Sequence, residues 1–117
     1  MPRYAALIYG AETTQQPSEQ EMGQVAAEYV EFGEKAGVAG VILGGEALHD
    51  TNTATTVRVE GGKGGEIITT DGPFAETKEQ IAGMVILECA DLDEAIEAAS
   101  RHPAAGYGTI EVRPMLP

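Results

Sequence analysis

Short apolar runs and amphipathic stretches follow one another along the chain, and their order predicts the elements of its first part. The run "YAALIY" at 4–9 stops at Gly10, as is typical of a buried strand. Ser18 stands three residues before Glu21, a capping box that predicts the start of a helix, and Gly37 is its expected end. The apolar stripe of this predicted helix is Met22, Val25, Ala26, Tyr29, Phe32 and Ala36.

The second part of the chain repeats this order around a hairpin. "GVILGG" predicts a buried strand, and "TATTVRVEGGKGGEIITT" predicts two β-branched strands joined by a glycine-rich tip. "AGMVILECA" is a further strand, after which Asp91 and Glu94 open a second helix that ends by Pro103. "YGTIEVRPM" alternates apolar and polar positions as a last strand. The predicted apolar stripe of the second helix is Leu92, Ala95, Ile96 and Ala99.

These elements predict an α+β fold. The order β-α-β, hairpin, β-α-β places two helices on one side of an antiparallel sheet, the ferredoxin-like arrangement. A length of 117 residues suits one domain over 1–117. Since no remaining segment is long enough to cover the second sheet face, we expect a homodimer that packs sheet against sheet.

The net charge of the chain limits the classes of partner that are expected. Seven Lys and Arg against 19 Asp and Glu give a net charge of −12, which repels phosphate backbones and anionic membrane surfaces. Nucleic acid and membranes are therefore not expected partners. Acidity of this size serves solubility, and it also favours the approach of a cation or a basic protein.

Several kinds of site are excluded by spacing. His49 and His102 are far apart and Cys89 is alone, so no metal motif is present. No Gly-x-Ser-x-Gly occurs, and "EGGKGGE" lacks the ending of a phosphate-binding loop, so no cofactor is expected. We expect His102 to end a helix as a cation favoured by the dipole, and His49 to lie in a loop within reach of a cleft. Cys89 is expected in the core, and the lack of a signal-peptide core or an apolar run long enough to cross a bilayer predicts a cytoplasmic protein.

The stretch "TTDGPFAETKEQ" at 69–80 is the least generic part of the chain. Asp71 is expected to accept hydrogen bonds from backbone amides two residues on, while Gly72 and Pro73 shape a turn. Residues 75–80 are expected to form about one helical turn with Phe74 tucked beneath it as an anchor. By these properties the stretch is either a structural turn or a functional loop.

Together with "YAALIYG", "AGVAGVILGGEAL", "LDEAIEAASRHPAA" and "GTIEVRPM", the segment "TDGPFAETKEQIAGMVIL" resembles the YCII-related family, in its DGPFAETKE branch. The resemblance covers nearly the whole chain and implies a dimeric α+β barrel. Many members of this branch are encoded beside, or fused to, extracytoplasmic-function sigma factors. Relatives in the wider family carry a His and Asp pair proposed as catalytic and are similar to muconolactone isomerases, but this chain has no matching His in its first strand or first helix.

The resemblance also marks candidate site residues. Within the signature they are Asp71, Gly72, Pro73, Phe74, Glu76, Lys78 and Glu79, and outside it they are Tyr9, Glu46 and Arg58. Of these, Asp71 and Glu76 are candidates for acid–base catalysis of a lyase or isomerase type, and Tyr9, Glu46, Arg58, Phe74 and Lys78 for binding an unknown small molecule. The alternatives are that Arg58, Lys78 and Asp71 form a salt-bridge network instead of a ligand site, and that the protein is a non-enzymatic accessory of a sigma factor.

Overall fold

The computed structural model describes residues 1–12, 18–38 and 41–117, apart from the side chains at positions 25, 29 and 35–38. Within these residues the order of elements is the one that the sequence predicts. Two short 3₁₀ helices, at Thr51–Thr53 and Pro103–Gly106, were not predicted. The strands and helices are β1 (Arg3–Gly10), α1 (Glu19–Val38), β2 (Ile42–Ala47), β3 (Thr55–Glu60), β4 (Glu66–Asp71), β5 (Gln80–Glu88), α2 (Leu92–Ser100) and β6 (Thr109–Pro114).

Four strands form one antiparallel sheet in the order β2-β5-β1-β6. One β-α-β unit consists of β1, α1 and β2, and the other consists of β5, α2 and β6. Strands of the two units alternate across the sheet, an arrangement compatible with a ferredoxin-like fold. The remaining strands, β3 and β4, pair with each other in a separate two-stranded sheet. The predicted hairpin is thus confirmed, as an arm inserted between the two units.

The backbone conformation at the tip of the arm explains why glycines occur there. Gly61, Gly62 and Gly64 have φ of 79°, 86° and 87°, a region that side chains with a Cβ rarely adopt. The glycines of this segment therefore allow the backbone geometry of the turn, as the sequence predicted.

One face of the four-stranded sheet carries the core. Tyr4 and Ala6 on β1 and Leu87 on β5 are buried there, and α2 adds Ala95 and Ala98. Cys89 lies fully buried in the same cluster, which confirms it as a core thiol. Its burial, with smaller contributions from Glu94 and Asp91, raises the pKa of the thiol.

Helix α1 begins as predicted, but not all of the described side chains of its predicted stripe are buried. Ser18 Oγ accepts a hydrogen bond from the Glu21 amide (3.1 Å), and the helix runs to Val38, one residue past the predicted end at Gly37. Among the described side chains of α1 only Phe32 is buried, and Met22 is 56% exposed. The predicted stripe positions 25, 29 and 36 lie outside the described side chains.

Helix α2 is rotated from its predicted face. Ala95, Ala98 and Ala99 are buried, whereas Leu92 and Ile96 are about half exposed. The small alanines allow the helix to approach the sheet closely, and the larger residues lie at the flanks.

The prediction for His102 was wrong. His102 lies past the end of α2 and is buried, and burial lowers its pKa below the usual value. An imidazole held neutral by burial does not act as a cation at a helix end.

The second face of the sheet has no covering element among the described residues. Ala5, Leu7 and Tyr9 of β1 point to this open face, opposite the buried Tyr4, Ala6 and Ile8, because side chains alternate along a strand. Register places Ile86 and Met84 of β5 beside them, opposite Ala5 and Leu7. The open face thus carries a half-buried apolar strip that crosses two central strands.

Candidate functional site

The turn at the start of the signature is fixed by the base of the arm. Gly72 has a φ of 104°, which favours glycine. Its amide donates to the Ala54 carbonyl (2.8 Å), and its own carbonyl accepts from Thr56 Oγ1 (2.8 Å). Asp71 is the last residue of β4, pairs with Thr55 and is exposed. The expected bonds from backbone amides to Asp71 do not occur within the described chain, so Thr56 stabilises this turn instead.

The segment that follows is not the helical turn that was predicted. Residues 75–79 contain bends only, and the Gln80 side-chain amide donates to the carbonyls of Ala75 (3.0 Å) and Thr77 (3.2 Å). Thr77 Oγ1 also donates to the Glu79 carbonyl (2.6 Å). Local bonds between polar side chains and the backbone compete with helical ones, which is why the helix prediction fails here.

Glu79 links this segment to the far edge of the sheet. Its Oε1 accepts a hydrogen bond from Thr109 Oγ1 (2.7 Å), and Thr109 is the first residue of β6, opposite Tyr9. The signature therefore passes the end of β1 on its way from the arm to β5. This position places Tyr9 on the open face, at the end nearest to the signature.

Phe74 is exposed instead of serving as a buried anchor. Its side chain is 76% exposed, and the guanidinium carbon of Arg58 lies 5.2 Å from the centre of its ring. This distance is within the range of a cation–π interaction. The structure thus brings together two of the predicted ligand-binding residues, Arg58 from β3 and Phe74 from the signature.

Phe74 also forms one wall of a groove at the base of the arm, which we call the signature groove. Its volume is about 540 Å³, in the range of small-molecule sites. Three segments contribute: the loop after β2, the start of β3 and the signature. The apolar lining includes Leu48, Pro73, Phe74 and Ile81, and the polar lining includes His49, Asp50, Thr56 and Gln80.

The loop that carries His49 is held from a distance by Glu12. Both carboxylate oxygens of Glu12 accept hydrogen bonds from Thr51, one from the amide (2.7 Å) and one from Oγ1 (2.6 Å). Because both bonds reach the start of a 3₁₀ helix from 39 residues away, the groove wall is fixed to the end of β1. The sequence predicts only that His49 lies in a loop within reach of a cleft. Its position between β2 and the arm is the signal that could have pointed to the groove.

The other predicted residues are dispersed. Asp71, Glu76 and Lys78 are exposed, and none of them lines the signature groove. Within the described chain no ion pair joins Arg58, Lys78 and Asp71, so neither the charge-balanced cluster nor the buried salt-bridge network is formed in the single chain. Glu46 lines a different cavity, under α1. The candidate site is therefore the groove with Arg58 and Phe74, not a cluster of carboxylates.

Two features are absent from the part of the chain that the structure describes. No three His, Cys, Asp or Glu side chains in it converge as a metal site requires. No described helix combines the length and hydrophobicity needed to cross a membrane.

Comparison with known proteins gives two matches. The model of the YCII-related domain matches residues 2–117. An uncharacterised protein of Rhizobium meliloti (strain 1021), R00369, is 36% identical over an alignment 124 positions long, gaps included, that covers 96% of this chain and 90% of the relative. The similarity extends over the groove, the arm and both β-α-β units, and the name of the relative assigns no activity.

Proposed function

The chain belongs to the YCII-related domain family, and we propose that it binds a planar carboxylate in the signature groove and carries out acid–base chemistry of the lyase or isomerase type. The observation that carries the proposal is the guanidinium of Arg58 over the ring of Phe74: the ring lines the groove, and Arg58 lies outside the lining but against that ring. An aromatic ring beside a positive charge is suited to a molecule with a flat apolar part and an anionic group.

The groove supports binding of both parts of such a molecule. Leu48, Phe74 and Ile81 offer apolar surface to the flat part. Within the described residues no carboxylate pairs with Arg58, so its N–H groups remain to bind the anion. Arginine binds a carboxylate through two parallel hydrogen bonds, which orients the ligand as well as holding it.

Proton transfer requires a titratable group next to the ligand. The role predicted for Asp71 or Glu76 stays a prediction, but His49 and Asp50 are the titratable residues that line the groove. We assign proton transfer to His49, because histidine is the side chain that most often serves as a general acid or base, and stabilisation of an anionic intermediate to Arg58.

Binding is tested with benzoate, followed by NMR of the backbone amides of 48–56 and 72–81. We expect saturable shifts that are confined to these segments. The Arg58→Gln variant loses a charge-assisted hydrogen bond and should bind benzoate roughly 10-fold more weakly or worse. Arg101→Gln is the matched control, because Arg101 is exposed and pairs with Glu97 outside the groove. Equal binding by wild type and Arg58→Gln, or the absence of saturable shifts, would refute the proposed site.

Chemistry is tested with phenylpyruvate, which carries a ring, a carboxylate and an exchangeable proton. We expect the protein to accelerate its enol–keto interconversion, and His49→Gln to lower the acceleration by about 10²-fold or more. Asp71→Asn and Glu76→Gln are measured beside it. If either carboxylate variant loses the activity while His49→Gln keeps it, the assignment to His49 is wrong. If the wild-type protein binds benzoate but does not accelerate the enol–keto interconversion, the groove is a binding site and the proposed acid–base chemistry is wrong.

We further propose that two copies pack their open faces together into a dimeric α+β barrel. The support is the half-buried strip of Ala5, Leu7, Met84 and Ile86, which no described element covers. Apolar strips on sheet faces are stabilised by packing on a second sheet about 10 Å away.

A non-enzymatic role is the second candidate, and the charge of −12 supports it. In this proposal the acidic surface docks on the basic surface of an extracytoplasmic-function sigma factor. A pull-down with the immobilised protein should then retain the sigma factor at 50 mM salt and release it at 500 mM, because screening weakens contacts between exposed charges. Retention that does not change with salt, or none at 50 mM, would contradict electrostatic docking.

A further inference from the structure

A second cavity lies on the helix-covered face of the sheet, between α1 and strands β2 and β5, and we call it the inner cavity. Its volume is about 300 Å³. It shares no lining residue with the signature groove among those described. It is therefore a separate space on the other side of the sheet from the open face.

The floor of the inner cavity is built from small residues for a packing reason. Register places Gly45 opposite Val85, and Gly83 opposite both Ala47 and the buried Ile8. A Cβ at Gly45 would lie 2.9 Å from the Met84 carbonyl oxygen, and one at Gly83 would lie 2.7 Å from that of Glu46. The close approach of β2 and β5 requires glycine at both positions, and the missing side chains leave space above them.

The described part of the roof is formed by two rings that pack against each other. Phe32, the buried side chain of α1, meets His102 edge to face, with ring centres 4.8 Å apart at 71°. His102 Nδ1 accepts a hydrogen bond from the Ala104 amide (3.0 Å), which fixes the plane of the imidazole. Both rings line the cavity, and both are at most 8% exposed. The space is thus bounded by rigid aromatic surface above and by backbone below.

The lining selects against charge. Among the described lining residues Glu46 is the one that carries a formal charge, and no Lys or Arg is present to bind an anion. An anionic ligand would lose its hydration without gaining a described Lys or Arg as a partner, whereas a neutral ring loses little. For size, an engineered apolar cavity of about 150 Å³ holds benzene. We propose that the inner cavity binds a neutral aromatic molecule of about the size of indole, at a site distinct from the signature groove.

The test uses indole and the ¹³C-labelled methyl groups of the wild-type protein. Indole should shift the methyl signals of Ile8 and Val85 saturably, and nuclear Overhauser contacts should join its protons to the same methyl groups. The methyls of Leu48 and Thr56, in the signature groove, should not respond. An absence of saturable shifts up to the solubility limit of indole, or shifts that appear only in the groove, would overturn the proposal.

A cavity-filling variant provides the second readout. Ala47 faces the helix-covered side through its pairing with Gly83, so Ala47→Leu should weaken indole binding at least about 10-fold. The matched control is Ala90→Leu, an exposed position seven residues beyond Gly83, or about 23 Å along the strand direction, where binding should stay unchanged. Equal affinity in Ala47→Leu and wild type would refute the site. If Ala47→Leu does not fold, the contacts measured in wild type decide alone.

Benzoate separates this site from the signature groove. The carboxylate should bind near Arg58 and leave Ile8 and Val85 unshifted, while indole should do the reverse. Benzoate shifts at the inner cavity of the same size as those of indole would show that the lining does not select neutral molecules, and would overturn the ligand class proposed here.

Discussion

Two titratable side chains are held uncharged in the interior, Cys89 and His102. Burial is the leading cause for both: it raises the pKa of the thiol and lowers the pKa of the imidazole, because each charged form is poorly solvated there. The two groups differ in their effect on stability at physiological pH. A thiol of raised pKa stays protonated, whereas His102 is neutral only as long as the pH is above its titration range.

We predict that His102 makes the protein sensitive to mild acid. The folded state binds the proton less readily than the unfolded state, whose histidine has a pKa of about 6.5. The free energy of unfolding therefore keeps its full value above about pH 6.5 and falls as the pH drops through the unfolded pKa towards the lower folded one. Urea denaturation at a series of pH values measures this fall.

His102→Asn isolates the effect. Asparagine keeps an acceptor for the Ala104 amide and has no charge to titrate, and it is well suited to the position before a short helix. Between pH 7 and pH 5 the loss of stability should be smaller in the variant than in wild type. Parallel curves for the two proteins would show that His102 does not contribute to the acid sensitivity.

Residues with local roles were the ones that the sequence could predict. Ser18 caps α1, and the glycines of the arm tip adopt positive φ, because a few neighbouring positions decide both features. The burial of His102 could not be predicted in this way, since it depends on Phe32, 70 residues earlier in the chain. The exposure of Phe74 was missed for a related reason: its ring contacts Arg58 on a neighbouring strand instead of its own segment.

At the scale of elements, the start of α2 is defined by two hydrogen bonds between backbone amides and carboxylates. Asp91 has extended backbone angles, and its carboxylate accepts from the Glu94 amide (2.9 Å). The Glu94 carboxylate in turn accepts from the Ala90 amide (3.3 Å). Because α2 has nine residues, its first turn is a large part of the helix.

We predict that Asp91→Ala lowers the free energy of unfolding by about 1 kcal/mol, the usual cost of losing such a cap. Asp93→Ala is the control, since Asp93 lies in the same turn and contributes mainly through the helix dipole, about 0.3–1 kcal/mol. Urea denaturation of both variants at pH 7 measures the difference. An equal effect of the two substitutions would mean that charge near the helix end matters more than the hydrogen bond.

Element type was more predictable than the face that an element buries. Periodicity gave the correct position of α2 but included Leu92 and Ile96 in its buried stripe, whereas the sheet accepts Ala95, Ala98 and Ala99. A hydrophobic pattern reports which residues are apolar, and the distance between helix and sheet decides which of them fit. The signature groove depends on such packing too, because three separate segments build it.

At the scale of the whole molecule, the chain is flat. Its principal extents are 47, 41 and 19 Å, so it is little more than one sheet with one layer of helices deep. One broad surface is therefore the open face of the sheet, with Leu7 near its centre between Met84 and Glu111. A thin molecule of this kind gains apolar burial chiefly by pairing with another surface.

We predict that Leu7→Lys converts a dimer into a monomer. Light scattering should give twice the chain mass of 12.2 kDa for wild type and one chain mass for the variant, because a lysine on the apolar strip would lose its hydration in the dimer. Leu116→Lys is the control, as Leu116 is 89% exposed and lies beyond β6. A monomeric wild type, or a Leu7→Lys variant that dimerises with unchanged affinity, would exclude the barrel built on this face.

The strand order β2-β5-β1-β6 also has a consequence for how the chain reaches its fold. Partners across β1 and its neighbours are 70 to 110 residues apart, from Gly10 with Gln80 to Tyr4 with Pro114. Only the arm joins strands that are adjacent along the chain. Sheets that depend on such distant pairings form slowly, because the entropy of the connecting loops is lost before the stabilising contacts form. The arm can therefore form early as an isolated hairpin, while β1 stays an unpaired, aggregation-prone segment until β5 and β6 reach it.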